Sequence, residues 1–187
     1  HAVDVGGNVG TWARDLCNKF KKVTVFEPVP DNVECFHKNL ENVKNYVLHD
    51  YALSDETGTG KLYIDSRSCG NVGLSEEGVI QGPTKDKPVH KDIYSIDIKT
   101  KKLDDLKLKT IDFMKIDVQG NELKVLKGAK QTLKNNTLVL CLELPTRNGI
   151  EIGVKRKIVE FLGTVHYLER GRFGKETIFT KNTTRWE

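Results

Sequence analysis

The chain has 187 residues, of which 37% are hydrophobic and 30% charged, with a net charge of +4. That length suits one domain, 1–187, with an ordinary core, and no apolar run nears the roughly 20 residues of a membrane span. The lysines are spread along the chain apart from a cluster over Lys99–Lys109, which reads as a solvated basic face, so nucleic acid is not an expected partner.

Four cysteines, Cys17, Cys35, Cys69 and Cys141, are widely separated and form no C-x-x-C. This argues against zinc and against a disulfide framework, and reduced thiols fit a cytoplasmic protein. The chain begins inside a strand at His1, so the N-terminus is expected to be truncated.

The first run, His1–Val5, leads into Asp4–Gly10, which reads DVGGNVG. Glycines at Gly6, Gly7 and Gly10 let a strand turn sharply and let a ligand approach the backbone. The helix that follows presents free N–H groups and a positive dipole end. A dinucleotide fingerprint wants another register, because Asn8 stands where a middle glycine belongs. Asn tolerates left-handed backbone, so the turn survives. An acid, Glu27, closes the next apolar run, Val23–Phe26. In nucleotide-binding α/β folds an acid about 20 residues after the glycine turn takes ribose hydroxyls. The pair predicts an adenosine-containing cofactor. Asp4 would repel a diphosphate but suits a cationic centre, as in S-adenosylmethionine. The alternative is a tight turn that binds nothing.

Thr11–Phe20 reads as a helix with Trp12, Leu16 and Phe20 as its buried stripe. Val23–Glu27 is a strand buried on both faces, stopped by Pro28 and Pro30. Asp31 is placed to cap a second helix with Glu34 as its partner; Val33, Phe36 and Leu40 form its apolar face. Tyr46–His49 is a third strand, and the alternation makes a parallel α/β sheet. Asp50 and Tyr51 then leave the strand at the ligand-binding edge, one to accept from an adenine amino group and one to stack; a polar loop with a buried aromatic is the other reading. Lys61–Ile64 is a strand, residues 66–88 a lid or substrate loop, Val89–Ile98 a further strand, and Lys101–Lys109 a short helical turn.

Thr110–Val118 places Phe113, Lys115 and Asp117 on one face of a strand and Met114, Ile116 and Val118 on the other. Mid-strand charge is costly unless paired, so Lys115 and Asp117 are expected to meet. Leu123, Leu126, Ala129 and Leu133 mark one helix stripe. Thr137–Leu144 is a strand ending at Glu143. Asp4, Glu27, Asp117 and Glu143 thus gather at one sheet edge. Val154–Leu162 is helical, and Thr164–Leu168 and Glu176–Thr180 are strands of a hairpin turning through Gly171–Gly174.

Several stretches together resemble the FkbM-type methyltransferases: DVGGNVG at Asp4–Gly10, FEPVP at Phe26–Pro30 with Asn32 and Asn39-Leu40, ALSD at Ala52–Asp55 with Gly58, LDDL at Leu103–Leu106, and DFMKIDVQGNELKVLKGA at Asp112–Ala129 followed by Glu143. The resemblance implies a Rossmann-like class I methyltransferase fold: a mostly parallel seven-stranded sheet with an antiparallel C-terminal strand and helices on both faces. It implies S-adenosylmethionine as cofactor and O-methylation of a hydroxyl on a small molecule or glycan. Two positions depart from the family pattern: Gln119, where members usually carry Glu, and Gly7, where Ala is common.

The expected cofactor contacts are Asp4, Gly6, Gly7, Asn8 and Gly10 around the turn, Glu27 and Pro28 at the ribose, Asp50 with Tyr51 or Ala52 at the adenine, and Asp117. Asp117 and Glu143 are the candidate base or substrate-orienting pair. Lys115 either tunes Asp117 or satisfies a buried charge pair. No third ligand at informative spacing completes a metal site. Two other functions share these features: a NAD-dependent oxidoreductase, and a non-catalytic module with the same fold, which Gln119 favours.

Overall fold

The fold was analysed in a computed structural model that describes residues 1–65, 72–73, 93–144 and 149–182. Seven strands form the main sheet: β1 (Ala2–Val5), β2 (Val23–Phe26), β3 (Tyr46–His49), β8 (Phe113–Ile116), β9 (Val139–Glu143), β10 (Tyr167–Phe173) and β11 (Glu176–Lys181). Their spatial order is β3-β2-β1-β8-β9-β11-β10. All neighbours are parallel except those of β11, which runs antiparallel to both β9 and β10. The fold expected from the sequence is therefore present, antiparallel C-terminal strand included.

Helices cover both faces. On one, α1 (Thr11–Lys19) and α2 (Pro30–Asn39) bury Ala13, Leu16, Phe36 and Leu40 against Ala2, Val23 and Val25. On the other, α3 (Glu122–Gly128), α4 (Lys130–Asn135) and α5 (Gly149–Gly163) bury Val125, Leu126, Leu133, Ile158 and Leu162 against Val3, Val5, Met114, Ile116, Leu140 and Leu142. Successive residues of β1 and β2 are buried without alternation, as strands covered on both faces must be.

Several local expectations are corrected. Trp12 is exposed, and Ala13 and Leu16 carry the buried stripe of α1. Asp31 does not cap α2: the helix starts at Pro30, whose fixed φ suits the first helical position, and Glu34 instead pairs with Lys38 at 2.6 Å. The single stripe from Leu123 to Leu133 is two helices broken at Ala129, because Asp104 caps the second. Its Oδ1 accepts from the Thr132 N–H and hydroxyl at 2.8 Å each, and its Oδ2 accepts from the Gln131 N–H at 2.9 Å. Asp104 belongs to the 3-10 turn Leu103–Leu106. The C-terminal hairpin turns later than expected, at Gly174 (φ 63°), and β10 runs on through Gly171 to Phe173.

A second, four-stranded sheet was not anticipated. It is built from β4 (Ala52–Leu53), β5 (Gly58–Asp65), β6 (Val72–Gly73) and β7 (Ile93–Lys101), in the order β4-β7-β5-β6. Leu62, Ile64 and Ile98 of this sheet pack on Val29, just past the end of β2. The expected lid over 66–88 lies outside the described residues apart from Val72 and Gly73.

Candidate active site

The glycine turn is fixed by backbone geometry that only certain residues accept. Gly6 has φ 82° and Gly10 φ 92°, and a Cβ on Gly6 would stand 1.9 Å from the Asp117 carbonyl oxygen. Asn8 holds left-handed backbone at φ 47°. Gly7 is needed for room: a Cβ there would stand 2.3 Å from Val25 Cγ1.

Glu27 ties this turn to the end of β2. Its Oε2 accepts from the Asn8 N–H at 2.8 Å, and its Oε1 accepts from the Val29 N–H at 3.0 Å and from Asn32 Nδ2 at 3.2 Å. Burial pushes its carboxyl above the ordinary range, against the pull of those three donors. Asn39 Nδ2 donates to the Val9 carbonyl at 2.8 Å, so Asn32 and Asn39 both brace the turn. Nothing in local sequence periodicity marks either as a brace.

A cleft opens beside the turn, with about 700 Å³ of empty space, open solvent included. Gly6, Asn8, Glu27, Pro28, Ala52 and Asp117 all line it. Leu53, Leu62 and Ile98, contributed by the second sheet, give it an apolar wall that the sequence did not reveal. Its lining, mostly apolar with a few convergent polar groups, is that of a small-molecule site. Asn8 lines the cleft, and its Oδ1 is buried without a hydrogen-bond partner among the described residues.

The remaining sequence candidates sit elsewhere. Gly7 and Gly10 are buried within the turn, shaping it from behind the lining residues. Asp4 is fully buried beneath it, where its partner is Lys115, with Nζ 3.3 Å from Asp4 Oδ1. Burial pushes the Asp4 carboxyl up to about 6, with Lys115 opposing the rise. Asp50 is exposed and Tyr51 is in the core; neither lines the cleft. Tyr51 packs on Phe26 and His49, ring centroids 5.7 and 5.2 Å away, with Lys101 Nζ 4.5 Å above its ring.

Lys115 does meet Asp117, at 3.7 Å from Oδ2, and also donates to the Gly6 carbonyl at 2.9 Å. Asp117 and Glu143 follow the paired residues Ile116 and Leu142 at the ends of the neighbouring strands β8 and β9. Burial first, then Asp117, pushes the Glu143 carboxyl up, while Lys175, 3.2 Å away, pulls it down. Glu143 stands outside the cleft wall. Beyond Asp117 the chain turns through Gln119 (φ 52°) and Gly120 (φ 100°), held by Glu122 Oε1, which accepts from the Val118 and Gly120 N–H groups at 3.2 and 3.1 Å.

The sheet order, with its antiparallel strand inserted next to the last, and a cleft at the carboxyl ends of β1, β2 and β8 define the class I methyltransferase fold. The chain belongs to the methyltransferase FkbM domain family, whose profile matches residues 4–170. Among curated proteins it is 28% identical over 141 residues to Methyltransferase 1 of Beauveria bassiana, covering 67% of this chain and 57% of that protein. It is 28% identical over 150 residues to 2-O-methyltransferase NoeI of Sinorhizobium fredii (73% and 60% covered). It is 29% identical over 143 residues to hexuronic acid methyltransferase AglP of Haloferax volcanii (73% and 53% covered). The match thus spans 53% to 60% of the length of these relatives. In fold it is similar to the crystal structure of methyltransferase FkbM from Methylobacillus flagellatus, with TM-score 0.65 and 16% identity over 96% of this chain and 42% of that one. A Streptococcus mutans protein solved in complex with SAH matches at TM-score 0.54 and 12% identity, covering 97% and 88%.

Proposed function

We propose that this chain is an S-adenosylmethionine-dependent methyltransferase that methylates a hydroxyl oxygen on a small molecule or sugar. The observation that carries the reading is one cleft lined by the glycine turn with its partnerless Asn8 oxygen, by Glu27, and by Asp117. Support for the cofactor comes from the SAH held by the Streptococcus mutans neighbour. Support for an oxygen acceptor comes from the Sinorhizobium relative, a 2-O-methyltransferase, and support for a sugar acceptor from the Haloferax relative, a hexuronic acid methyltransferase. Free Cys17, Cys35 and Cys141 fit a reducing, cytoplasmic setting.

Bound in the cleft, S-adenosylmethionine supplies an electrophilic methyl group on a sulfonium. Gly6 and Asn8 hold the methionine part, and the Asn8 oxygen takes its ammonium. Glu27, with Pro28 beside it, takes the ribose hydroxyls. Ala52, Leu53, Leu62 and Ile98 clasp the adenine and exclude water. Asp50 and Tyr51 stand outside the lining residues, and Tyr51 supports the wall from the core. Gly7 and Gly10 shape the turn. Asp4 holds Lys115, which orients Asp117 and the Gly6 carbonyl. Asp117 takes the proton of the acceptor hydroxyl, with Glu143 behind it as its partner. The protein's work is alignment and proton removal.

The test is transfer of a labelled methyl group from S-adenosylmethionine to a panel of hexuronic acids and neutral hydroxylated glycans. Wild type is expected to label at least one acceptor. Asp117→Asn is expected to lose roughly 10²–10⁴ in turnover, the usual worth of a positioned base, while binding cofactor. Equal turnover in Asp117→Asn contradicts the assignment of the base.

A further inference from the structure

Glu122 is a buried acid that the methyl-transfer scheme does not use. It lies in the first turn of α3, is only 2% exposed, and stands outside the cleft lining. Of the residues just before it, Asp117, Val118, Gln119 and Asn121 all line the cleft. A carboxylate is costly to bury unless hydrogen bonds compensate it. One oxygen of Glu122 is used twice: Oε1 accepts from the Val118 N–H at 3.2 Å and from the Gly120 N–H at 3.1 Å. These two donors bracket Gln119.

The backbone between them needs holding. Gln119 is left-handed at φ 52°, and Gly120 follows at φ 100°. Glycine accepts such angles freely, but a residue with a long side chain adopts them at a cost. Packing does not impose the turn: both residues are exposed, and a Cβ on Gly120 would meet nothing within 4 Å. The backbone of Asp117, by contrast, is anchored without Glu122. Its N–H donates to the Val5 carbonyl at 3.0 Å, and its own carbonyl lies against Gly6. The left-handed turn returns the Gln119 side chain to Asp117, where Nε2 donates to Oδ1 at 2.7 Å.

We propose that Glu122 is a positioning residue that acts on Asp117 through Gln119: its carboxylate clamps the left-handed backbone from the inner side of the loop, and that backbone seats the Gln119 amide on Asp117. Without the clamp, Gln119 relaxes to an ordinary negative φ and its amide leaves Oδ1. The Asp117 carboxylate then keeps only Lys115, 3.7 Å from Oδ2, and loses its fixed direction toward the cleft. The consequence for turnover rests on the methyl-transfer reading above; the clamp itself does not.

Amide hydrogen exchange of the folded chain, with neither cofactor nor acceptor present, reads the clamp directly. In wild type the Val118 and Gly120 amides are expected to be protected. In Glu122→Leu both are expected to exchange at least about tenfold faster, the worth of a hydrogen bond to a charged acceptor, while amides within β1 and β8 stay as they were. Glu122→Gln keeps an oxygen acceptor and is expected to restore the protection. Steady-state turnover reads the positioning role. In Glu122→Leu kcat is expected to fall roughly tenfold to a hundredfold, as for a slightly misplaced catalytic group, with the acceptor KM and the affinity for S-adenosylmethionine near wild type. Because the effect runs through Gln119, adding Gln119→Ala to Glu122→Leu is expected to cost nothing further. Unchanged exchange or unchanged kcat in Glu122→Leu, a loss confined to KM or cofactor affinity, or losses that multiply in the double variant each overturn the proposal. A wild-type chain that transfers no methyl group contradicts the methyl-transfer reading instead, and the exchange result then decides the clamp by itself. Should Glu122→Leu not fold, unprotected Val118 and Gly120 amides in wild type overturn the proposal, as does Gln119→Ala with unchanged kcat.

Discussion

Asp4 shows how one residue type fits more than one partner. An acid near the end of β1 suits a cation, and it has one, but the cation is Lys115 of the neighbouring strand. The register sets Asp4 directly opposite Lys115, a pairing that follows only once β1 is known to lie beside β8. The spacing of two that puts Lys115 and Asp117 on one face needs no such knowledge and is legible in the sequence. The burial of Asp4 has a consequence for pH. Its carboxyl is raised from an ordinary 3.8 to about 6, so the folded chain binds more protons than the unfolded one between those values. The associated stability is fully present below the lower value and is lost as pH rises through the upper one. Glu27 and Glu122, also raised by burial, act in the same direction. The loss for Asp4 is on the order of 3 kcal/mol, because each tenfold change in proton affinity is worth about 1.4 kcal/mol. Denaturant unfolding between pH 4 and 7 is expected to show stability falling with pH over that window, and Asp4→Asn is expected to flatten the fall. An Asp4→Asn profile parallel to wild type contradicts this origin.

Elements whose residues carry their own backbone signals were legible: the glycine turn, the Pro-stopped β2, and the alternating β8. Breaks imposed from a distance were not. The stripe Leu123, Leu126, Ala129, Leu133 continues through the end of α3, and what divides it is Asp104, far earlier in the chain, capping α4. Close packing decides the same point. A Cβ on Gly128 would lie 2.0 Å from the Ser54 carbonyl oxygen, so the C-terminal end of α3 sits directly on the loop after β4. Backbone cannot yield there as a side chain tip can. Gly128→Ala is expected to destabilise the fold by about 1–3 kcal/mol, the usual cost of overpacking, read as a lower denaturant midpoint. Because β4 carries Ala52 and Leu53 of the cleft wall, cofactor affinity should fall with it. An unchanged midpoint contradicts the packing argument.

At the scale of the whole molecule, the main sheet gathers its candidate acids at one edge, and residues of the second sheet line the cleft. The first half of that arrangement was legible, because Glu27, Asp117 and Glu143 each end an apolar run. The second was not: Leu62 and Ile98 read as ordinary strand residues, and only the pairing of β5 with β7 brings them together against Val29. Tyr51 was ambiguous for a related reason, since an aromatic after a strand serves a ligand or a core equally well until its neighbours are known. Whether the glycine turn and Glu27 form the cofactor site is tested most directly by calorimetric titration of the chain with S-adenosylmethionine, and again on Glu27→Gln. The account predicts saturable one-to-one binding in wild type and at least about tenfold weaker binding in the folded variant, the worth of a charge-assisted hydrogen bond. Equal affinity in wild type and Glu27→Gln, or no binding by a folded wild-type chain, contradicts it.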